Sequence, residues 1–362
     1  MNQIQAEYKN LKPQIDAAIQ AVLNEGQFIN GAQVHQFARS LETYLGVKHV
    51  ITCANGTDAL QIAMMALDLQ PGDEVIVPAF TYVAPVEVIA LLKLKVVFVD
   101  VDPDTFNIDV DKVRAAITPQ TKAIVAVHLF GQCADMEHIM EIAAENNLYV
   151  IEDNAQSLGA KYTFKNGRQV NAGCIGHIAT TSFFPTKNLG CFGDGGAIMT
   201  QDDKLADRIK MIANHGQAEK YHHELVGVNS RLDTIQAAIL QIKLPHLDEN
   251  NKKRAEIAAK YDEVLNTVAG IETPKRSANS DHIFHQYTIK VKDGKRDAFR
   301  AKLADQGIQT MIYYPIPLHQ QIAYSGVEPG LSLPVSESLC REVLSLSISP
   351  EMDIEGVKRL IV

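Results

Sequence analysis

The sequence predicts an α/β fold, a mainly parallel central sheet covered by helices on both faces, followed by a smaller α+β unit. Three observations carry this expectation. Short apolar runs alternate with helical stretches for about 150 residues beyond position 50. Past about residue 246 the pattern changes to one alternating strand followed by separate helical stretches. The chain, at 362 residues, also exceeds the size at which a single core usually stops growing. The expected division is a large unit over 1–245 and a small C-terminal α+β unit over 246–362.

The elements follow in order. After Pro13, the apolar residues Ile15, Ala18, Ile19, Val22 and Leu23 share one helix face, with the proline near the first turn. Gly26 and Gly31 interrupt the pattern, and a second amphipathic stretch starts near Ala32 and leads to an apolar segment over 47–51. Helices are expected over 58–69, 83–92 and 136–146, and strands over 74–77, 96–101, 122–129, 148–151, 178–184 and 195–200. One long amphipathic helix is expected from about 233 to 265. Beyond it, 286–291 alternates as a half-buried strand, 296–306 reads as a helix, 331–334 as a turn and 354–361 as a short final helix.

Composition narrows the function. Hydrophobic residues make up 46% and charged residues 21%, which excludes a disordered or fibrous chain. A net charge of -9 argues against a nucleic-acid surface, so anionic ligands must be held by local devices. Cys53, Cys133, Cys174, Cys191 and Cys340 contain no CxxC pair and read as the reduced thiols of a cytoplasmic protein. The polar N-terminus lacks the apolar core of a signal peptide, and no run approaches the roughly 20 apolar residues of a membrane span.

Chemistry concentrates in six places. In Ala54-Asn-Gly56-Thr57, a glycine turn opens a helix after a strand, where unpaired amides and the Thr57 hydroxyl suit a phosphate; taken alone, the segment reads first as an ordinary helix cap by Thr57 or Asn55. Phe80 and Tyr82 follow a strand at the end where α/β sheets bind ligands, and either can stack on a flat ring or belong to the core. The apolar run 148–151 ends in Glu152-Asp153, with Gln156 three residues beyond the second carboxylate. Buried carboxylates need partners; a pyridinium nitrogen is one candidate for Asp153, and a cap on the next helix is the other. Lys187 lies 34 residues after Asp153 in Ser182-Phe-Phe-Pro-Thr-Lys187-Asn-Leu-Gly-Cys-Phe-Gly-Asp-Gly-Gly196. A lysine in a glycine-rich turn beside a strand-tip carboxylate is the arrangement that pyridoxal phosphate chemistry needs.

The remaining two places are richer in donors than the rest of this acidic chain. The stretch 215–233 carries His222, His223, Asn229 and Arg231. No carboxylate or cysteine stands at a ligand spacing around the paired histidines, so no metal is expected; anion or sugar contacts or a solvated loop are the readings, and the Arg231 fork suits carboxylate or phosphate oxygens. In Tyr313-Tyr314-Pro-Ile-Pro-Leu-His319, two prolines stiffen the backbone and present Tyr314 and His319 either to a substrate or to packing between the units.

Taken together, ANGTDALQ, PAFTYVA, VDVDPDTFNID, VHLFGQCADM, EDNAQSLGA, SFFPTKNLGCFGDGGA, HGQAEKYHHELVGVNSRLDTIQAA and YYPIPLH resemble the DegT/StrS-type nucleotide-sugar aminotransferases, a branch of the fold-type I pyridoxal phosphate enzymes. The resemblance implies Lys187 as the Schiff-base lysine, Asp153 as partner of the pyridinium nitrogen and Gln156 near the ring hydroxyl. It further implies Gly56, Thr57 and Ser182 as the phosphate cradle, Tyr82 as the stacking aromatic, and Asn229 reaching the phosphate from the neighbouring subunit of a homodimer. Glutamate would be the amino donor and a nucleotide-linked keto sugar the acceptor. The wording around 190–196 and 221–233 is most similar to 3-aminotransferases acting on UDP-2-acetamido-2-deoxy-3-oxo-glucuronate in the synthesis of bacterial surface polysaccharide such as O-antigen, with Arg231, His222, His223, Tyr314 and His319 as substrate contacts. A dTDP-linked 3-oxo or 4-oxo 6-deoxyhexose is the alternative acceptor, and a non-catalytic sugar-nucleotide-binding regulator the alternative of another class. Asn154 departs from the alanine usual in the family and stands beside Asp153.

Overall fold

The structure is a computed structural model that describes residues 4–352. The chain begins with α1 (Ile4–Glu25) and α2 (Ala32–Leu45). It then alternates β1 (His49–Cys53), α3 (Gly56–Ala66), β2 (Glu74–Pro78), α4 (Ala84–Leu91), β3 (Lys95–Val99), α5 (Val110–Ala116), β4 (Thr121–Val127), α6 (Met136–Asn146) and β5 (Tyr149–Asp153). A hairpin of β6 (Lys161–Thr163) and β7 (Gln169–Asn171) precedes β8 (Ile178–Ser182) and β9 (Gly196–Thr200). Next come α7 (Asp203–Ala213), a hairpin of β10 (Gln217–Glu219) and β11 (His222–His223), then α8 (Thr234–Lys243) and α9 (Leu247–Leu265). The last part holds β12 (Ile271–Glu272), β13 (Tyr287–Val291), α10 (Arg296–Asp305), β14 (Thr310–Met311), α11 (Pro334–Glu342) and β15 (Val343–Leu346).

The central sheet has the order β1-β9-β8-β5-β4-β2-β3, and β9 alone runs against the others. Its strands are apolar on both faces because side chains alternate and both faces are covered. Val75 and Val77 of β2 and Val125 of β4 point into a cluster with α3, α4 and α7. Their neighbours Ile76 and Ile124 point the other way, against α5 and α6. The mainly parallel sheet expected from the alternation is therefore present. The second sheet, β12-β13-β15-β14, packs on α9 and α10.

Several elements differ from expectation. The first helix starts at Ile4 and contains Pro13 in its interior. The missing proline amide would have met the carbonyl of Lys9, and both residues are exposed, so the lost bond falls on the outer face of the helix. The long helix expected over 233–265 is two helices, parted by a 3₁₀ turn at Leu244–His246 that contains Pro245. Helix α7 lies outside the helices expected above; Asp202 caps it by accepting from the amides of Lys204 and Leu205. Helix α11 starts where a turn was expected, with Pro334 in its first turn. Strand β13 is buried along its whole length: Thr288 pairs with the Ser345 hydroxyl at 2.8 Å, and the Lys290 ammonium donates to the Pro103 carbonyl at 2.9 Å. Its polar face therefore meets protein rather than water. The helix expected over 354–361 lies outside the described residues.

The C-terminal part does not stand apart from the large sheet. Leu318, Leu333, Leu339 and Val343 belong to the same buried cluster as α3 and α4. A polar tie reinforces the contact. The buried Asp100 carboxylate accepts from the amides of Val335 (2.9 Å) and Ser336 (2.8 Å) and from the Ser336 hydroxyl (2.6 Å), at the positive end of α11. Replacing Asp100 with alanine leaves these donors buried without an acceptor and is expected to lower stability by about 2–4 kcal/mol. Asp100→Asn, which keeps one acceptor, should lose less. Urea unfolding of the two variants measures the difference.

Candidate active site

The site grows from the tip of β5. Adjacent residues of a strand face opposite ways, so Glu152 and Asp153 leave the sheet on different sides. Glu152, fully buried, accepts from the amides of Gly173 (2.9 Å), Ile175 (2.7 Å) and Gly176 (2.6 Å). The ring of His128 adds a contact from Nε2 at 2.8 Å, and since the Ala134 amide donates to Nδ1, the ring proton sits on Nε2 and is donated to Glu152. Burial pushes the Glu152 carboxyl up, but the His128 bond and the amides outweigh it and hold the group below its ordinary value.

Asp153 has no such company. One backbone amide, that of Ala155, donates to it at 3.1 Å. Burial raises its pKa, with the Ala155 amide and the charge of Lys187 pulling the other way. This carboxylate stands at the wall of a cavity of about 670 Å³ and wants a cation.

Lys187 is held opposite by the turn between β8 and β9. Its amide donates to the Phe184 carbonyl at 2.8 Å, and the Cys191 amide returns to the Phe183 carbonyl at 2.8 Å. Gly190 permits the closure, since a Cβ there would meet the carbonyl oxygens of Pro185 and Phe184 at 2.6 and 2.7 Å. Burial lowers the Lys187 ammonium to about 8, against the pull of Asp153. Beside it, His285 is kept well below its ordinary value, by burial first and then by the charges of Lys187 and Arg254. Asn188 donates to the Asn251 side-chain oxygen at 2.7 Å, which leaves its own oxygen to accept from Nδ1 of His285 at 3.1 Å.

The opposite end of the cavity is the start of α3. Asn55 caps this helix by accepting from the Asp58 amide at 2.8 Å. A Cβ on Gly56 would lie 2.8 Å from that of Ser182, and one on Gly196 would lie 2.5 Å from the Asn55 carbonyl. The helix start therefore rests directly on β8 and β9, with Gly56 and Thr57 lining the cavity. Ser182 accepts from the Phe184 amide at 3.2 Å, so its hydroxyl proton remains to donate. Amides at a helix N-terminus and a hydroxyl donor are what a phosphate group needs.

Tyr82, 55% exposed, and the half-buried Tyr314 close the cavity with ring centroids 6.4 Å apart. Gln156 accepts from the Phe130 amide at 2.9 Å and donates to the Tyr314 hydroxyl at 3.2 Å. Thus Gly56, Thr57, Tyr82, Asp153, Gln156, Ser182, Lys187 and Tyr314 all line one cavity. The set fits pyridoxal phosphate: a helix start for the phosphate, an amine for the aldehyde, an under-partnered carboxylate for the ring nitrogen and an aromatic for the ring face.

Five of the expected residues are not in the wall of this cavity. His222 and His223 stand exposed on the β10–β11 hairpin, and His223 Nδ1 contacts its own chain at the His215 carbonyl, 2.8 Å away. Asn229 is exposed and bridges to Asn214, and Arg231 is half-buried outside the wall. His319 takes the packing alternative: it is buried outside this wall, with its ring 6.3 Å from Phe98 and Nε2 3.4 Å from Glu337. The backbone turns at Leu318–Gln320, so Tyr314 faces the cavity while His319 serves packing. Sequence reading missed Thr81, Asp194, His285, Gln286 and Gln321, which line the wall. Only His285-Gln286, a polar pair opening a buried strand, carries a signal of the kind that marked Glu152-Asp153.

Two other residues gain definition. Asn154 does not bond Asp153; it donates to the Ala172 carbonyl at 2.9 Å and leaves its own buried oxygen without a partner among the described residues. Cys191 donates to the Phe183 carbonyl at 3.1 Å, and burial raises its thiol to about 11, the opposite of a nucleophile's environment. Among the described residues no cluster of His, Cys, Asp and Glu could hold a metal ion, and no helix is long and apolar enough to cross a membrane.

Fold and cavity define a pyridoxal phosphate-dependent aminotransferase that uses pyridoxamine phosphate as its intermediate carrier. The chain belongs to the DegT/DnrJ/EryC1/StrS aminotransferase family, whose model matches residues 9–362. It is 49% identical to the UDP-2-acetamido-2-deoxy-3-oxo-D-glucuronate aminotransferase of Pseudomonas aeruginosa, over 96% of this chain and 94% of that one. It is 46% identical to the dTDP-3-amino-3,6-dideoxy-alpha-D-galactopyranose transaminase of Aneurinibacillus thermoaerophilus, over 100% and 96%. The crystal structure of NtdA from Bacillus subtilis, solved with bound cofactor PMP, superposes with a TM-score of 0.88 at 36% identity, covering 97% of this chain and 82% of that one.

The Lys187 environment sets a pH dependence. Only the neutral amine attacks an aldehyde, and lowering the ammonium to about 8 makes it roughly a quarter neutral at pH 7.5. The rate at which cofactor-free protein takes up pyridoxal phosphate should therefore rise with pH through a midpoint near 8. Asp153→Asn, which removes the charge favouring the ammonium, should move that midpoint lower. Stopped-flow absorbance between pH 6.5 and 10 reads both, and a midpoint near that of an ordinary lysine would contradict the assignment.

Proposed function

We propose that the protein moves the amino group of glutamate to C3 of UDP-2-acetamido-2-deoxy-3-oxo-glucuronate, as a cytoplasmic homodimer with shared sites that serves surface polysaccharide (O-antigen or lipopolysaccharide) synthesis. The observation that carries this reading is Lys187 and Asp153 facing one cavity beside the start of α3, in a chain 49% identical to an aminotransferase named for that sugar. The proposed large and small units, 1–245 and 246–362, both contribute, since Tyr314 and His285 come from the second.

When bound, the cofactor would supply an electron sink and a carrier for the amino group in a ping-pong cycle. The chain supplies the rest. Gly56, Thr57 and Ser182 would hold the phosphate, and Tyr82 would cover the ring face. Asp153 would keep the proton on the ring nitrogen, and Gln156, aligned by Phe130 and Tyr314, would donate toward the ring hydroxyl. Lys187, with its ammonium lowered to about 8, is basic enough to take the proton from the donor's α-carbon and acidic enough to release it again near neutral pH.

Charge supports the shared site. Among the described residues Lys187 is the only lysine or arginine in the cavity wall, while the proposed acceptor brings a diphosphate and a carboxylate. The exposed stretch with His222, His223, Asn229 and Arg231 would provide the missing cation and donors from a neighbouring subunit. The 46% identity to a dTDP-sugar transaminase favours a second reading, a dTDP-linked 3-oxo or 4-oxo 6-deoxyhexose as acceptor.

Incubation with glutamate and a panel of UDP- and dTDP-linked keto sugars, followed by mass and NMR identification of the product, decides between them. Amination of the uronate at C3 is expected; turnover of the dTDP sugars alone would establish the second reading. Lys187→Ala should lower turnover by at least about a thousandfold, and an active variant would overturn the role given to Lys187.

A further inference from the structure

Lys243, the last residue of α8, is 3% exposed yet lies outside the cavity wall, so the chemistry above leaves it without a task. Its ammonium donates to the Gly190 carbonyl at 2.5 Å and pairs with Glu7 of α1 at 2.7 Å. It also lies 5.6 Å from the centroid of the Phe192 ring. That ring is met edge-on by Tyr8 of α1, with centroids 5.8 Å apart, and the Phe192 amide donates to the Gln236 side chain of α8 at 2.8 Å. A buried ammonium is costly unless paired, so these partners are specified rather than incidental.

The bond falls on a particular atom. Gly190 closes the turn on whose inside Lys187 is carried, with no room for a Cβ against Phe184 and Pro185. Fixing the Gly190 carbonyl fixes the far end of that turn, while β8 fixes the near end. Two elements distant in sequence, α1 and α8, thus converge through one ammonium on the loop that presents the reacting amine.

We propose that Lys243 is a positioning residue for Lys187, and that Glu7 of α1 is the counter-charge that keeps it in place. This rests on the reading of Lys187 as the cofactor-bound lysine. The ammonium touches neither cofactor nor substrate; it acts through the Gly190 carbonyl and the Phe192 ring. Catalysis tolerates little misplacement of a reacting group, so loosening the turn should fall on turnover rather than on substrate binding.

The test compares Lys243→Met, Lys243→Arg, Glu7→Gln and Lys187→Ala, each as the full chain. Lys243→Met should lower kcat about tenfold to a hundredfold with KM for glutamate little changed. It should also move the pH midpoint of the visible band of the cofactor-loaded enzyme by about half a unit or more, and speed amide hydrogen exchange over 184–192 in the cofactor-free protein. Lys243→Arg, which keeps the charge, should recover part of kcat, and Glu7→Gln should show the Lys243→Met changes in weaker form. If Lys243→Met does not fold, Glu7→Gln carries the test alone. Variants that fold with unchanged kcat, spectral midpoint and exchange over 184–192 would overturn the proposal. An active Lys187→Ala would instead overturn the reading beneath it, so the two failures are separable.

Discussion

The site depends on two adjacent carboxylates at the end of one buried strand. Either of them in isolation would resist ionisation, and together they would repel each other. The pleat separates them to opposite faces of the sheet, and the surroundings then treat them differently. Glu152 is held ionised within the fold by three amides and a histidine N–H, so its hydrogen-bonding needs are met before any ligand arrives. Asp153 is left with one amide and a distant ammonium. The fold thereby concentrates its unmet electrostatic demand at one point, which a protonated ring nitrogen would answer. The turn over 173–176 and the His128 segment are arranged around the first carboxylate so that the second can remain available.

Much of this was legible in the sequence because the informative residues are local. A strand ending in Glu152-Asp153, a glycine turn opening a helix at Gly56 and a lysine inside a glycine-rich turn each announce themselves within about ten residues. The parallel sheet was legible for the same reason: its strands are short apolar runs separated by helices. The failures lie where tertiary contact overrides the local pattern. Strand β13 alternates, yet its polar positions are buried by pairing with Ser345 and Pro103. Pro13 reads as a helix start, yet the helix runs through it. His319 sits in the same stiff segment as Tyr314 but turns away from the cavity, which spacing cannot foresee. His285 contributes through a neighbour 97 positions away, Asn188, and no window on the sequence joins the two.

The contacts between the early and late parts of the chain explain why the site draws on both. Leu318 donates its amide to the Ala79 carbonyl at 2.9 Å, Ile283 to Gly131 at 2.8 Å, and Asp100 holds the start of α11. These bonds carry Tyr313, Tyr314 and Gln321 into the wall that β2, β5 and β8 began. The aromatic group of Phe80, Phe106, Phe130 and Tyr314 packs across the same seam. The cavity is therefore a product of the junction, and substitutions that weaken the junction act on the cavity even when they touch none of its lining.

The reversed strand β9 has a further consequence. Because it returns beside β8, Ser182 is paired with Gly196 and the intervening loop leaves and re-enters the sheet at neighbouring positions. The entropy of closing that loop is spent during folding, when the two strands pair. Little disorder then remains to be removed when a cofactor arrives, and affinity is correspondingly less taxed by ordering. A lysine on an open connection of equal length would have to be immobilised at each capture; here the sheet has done so beforehand.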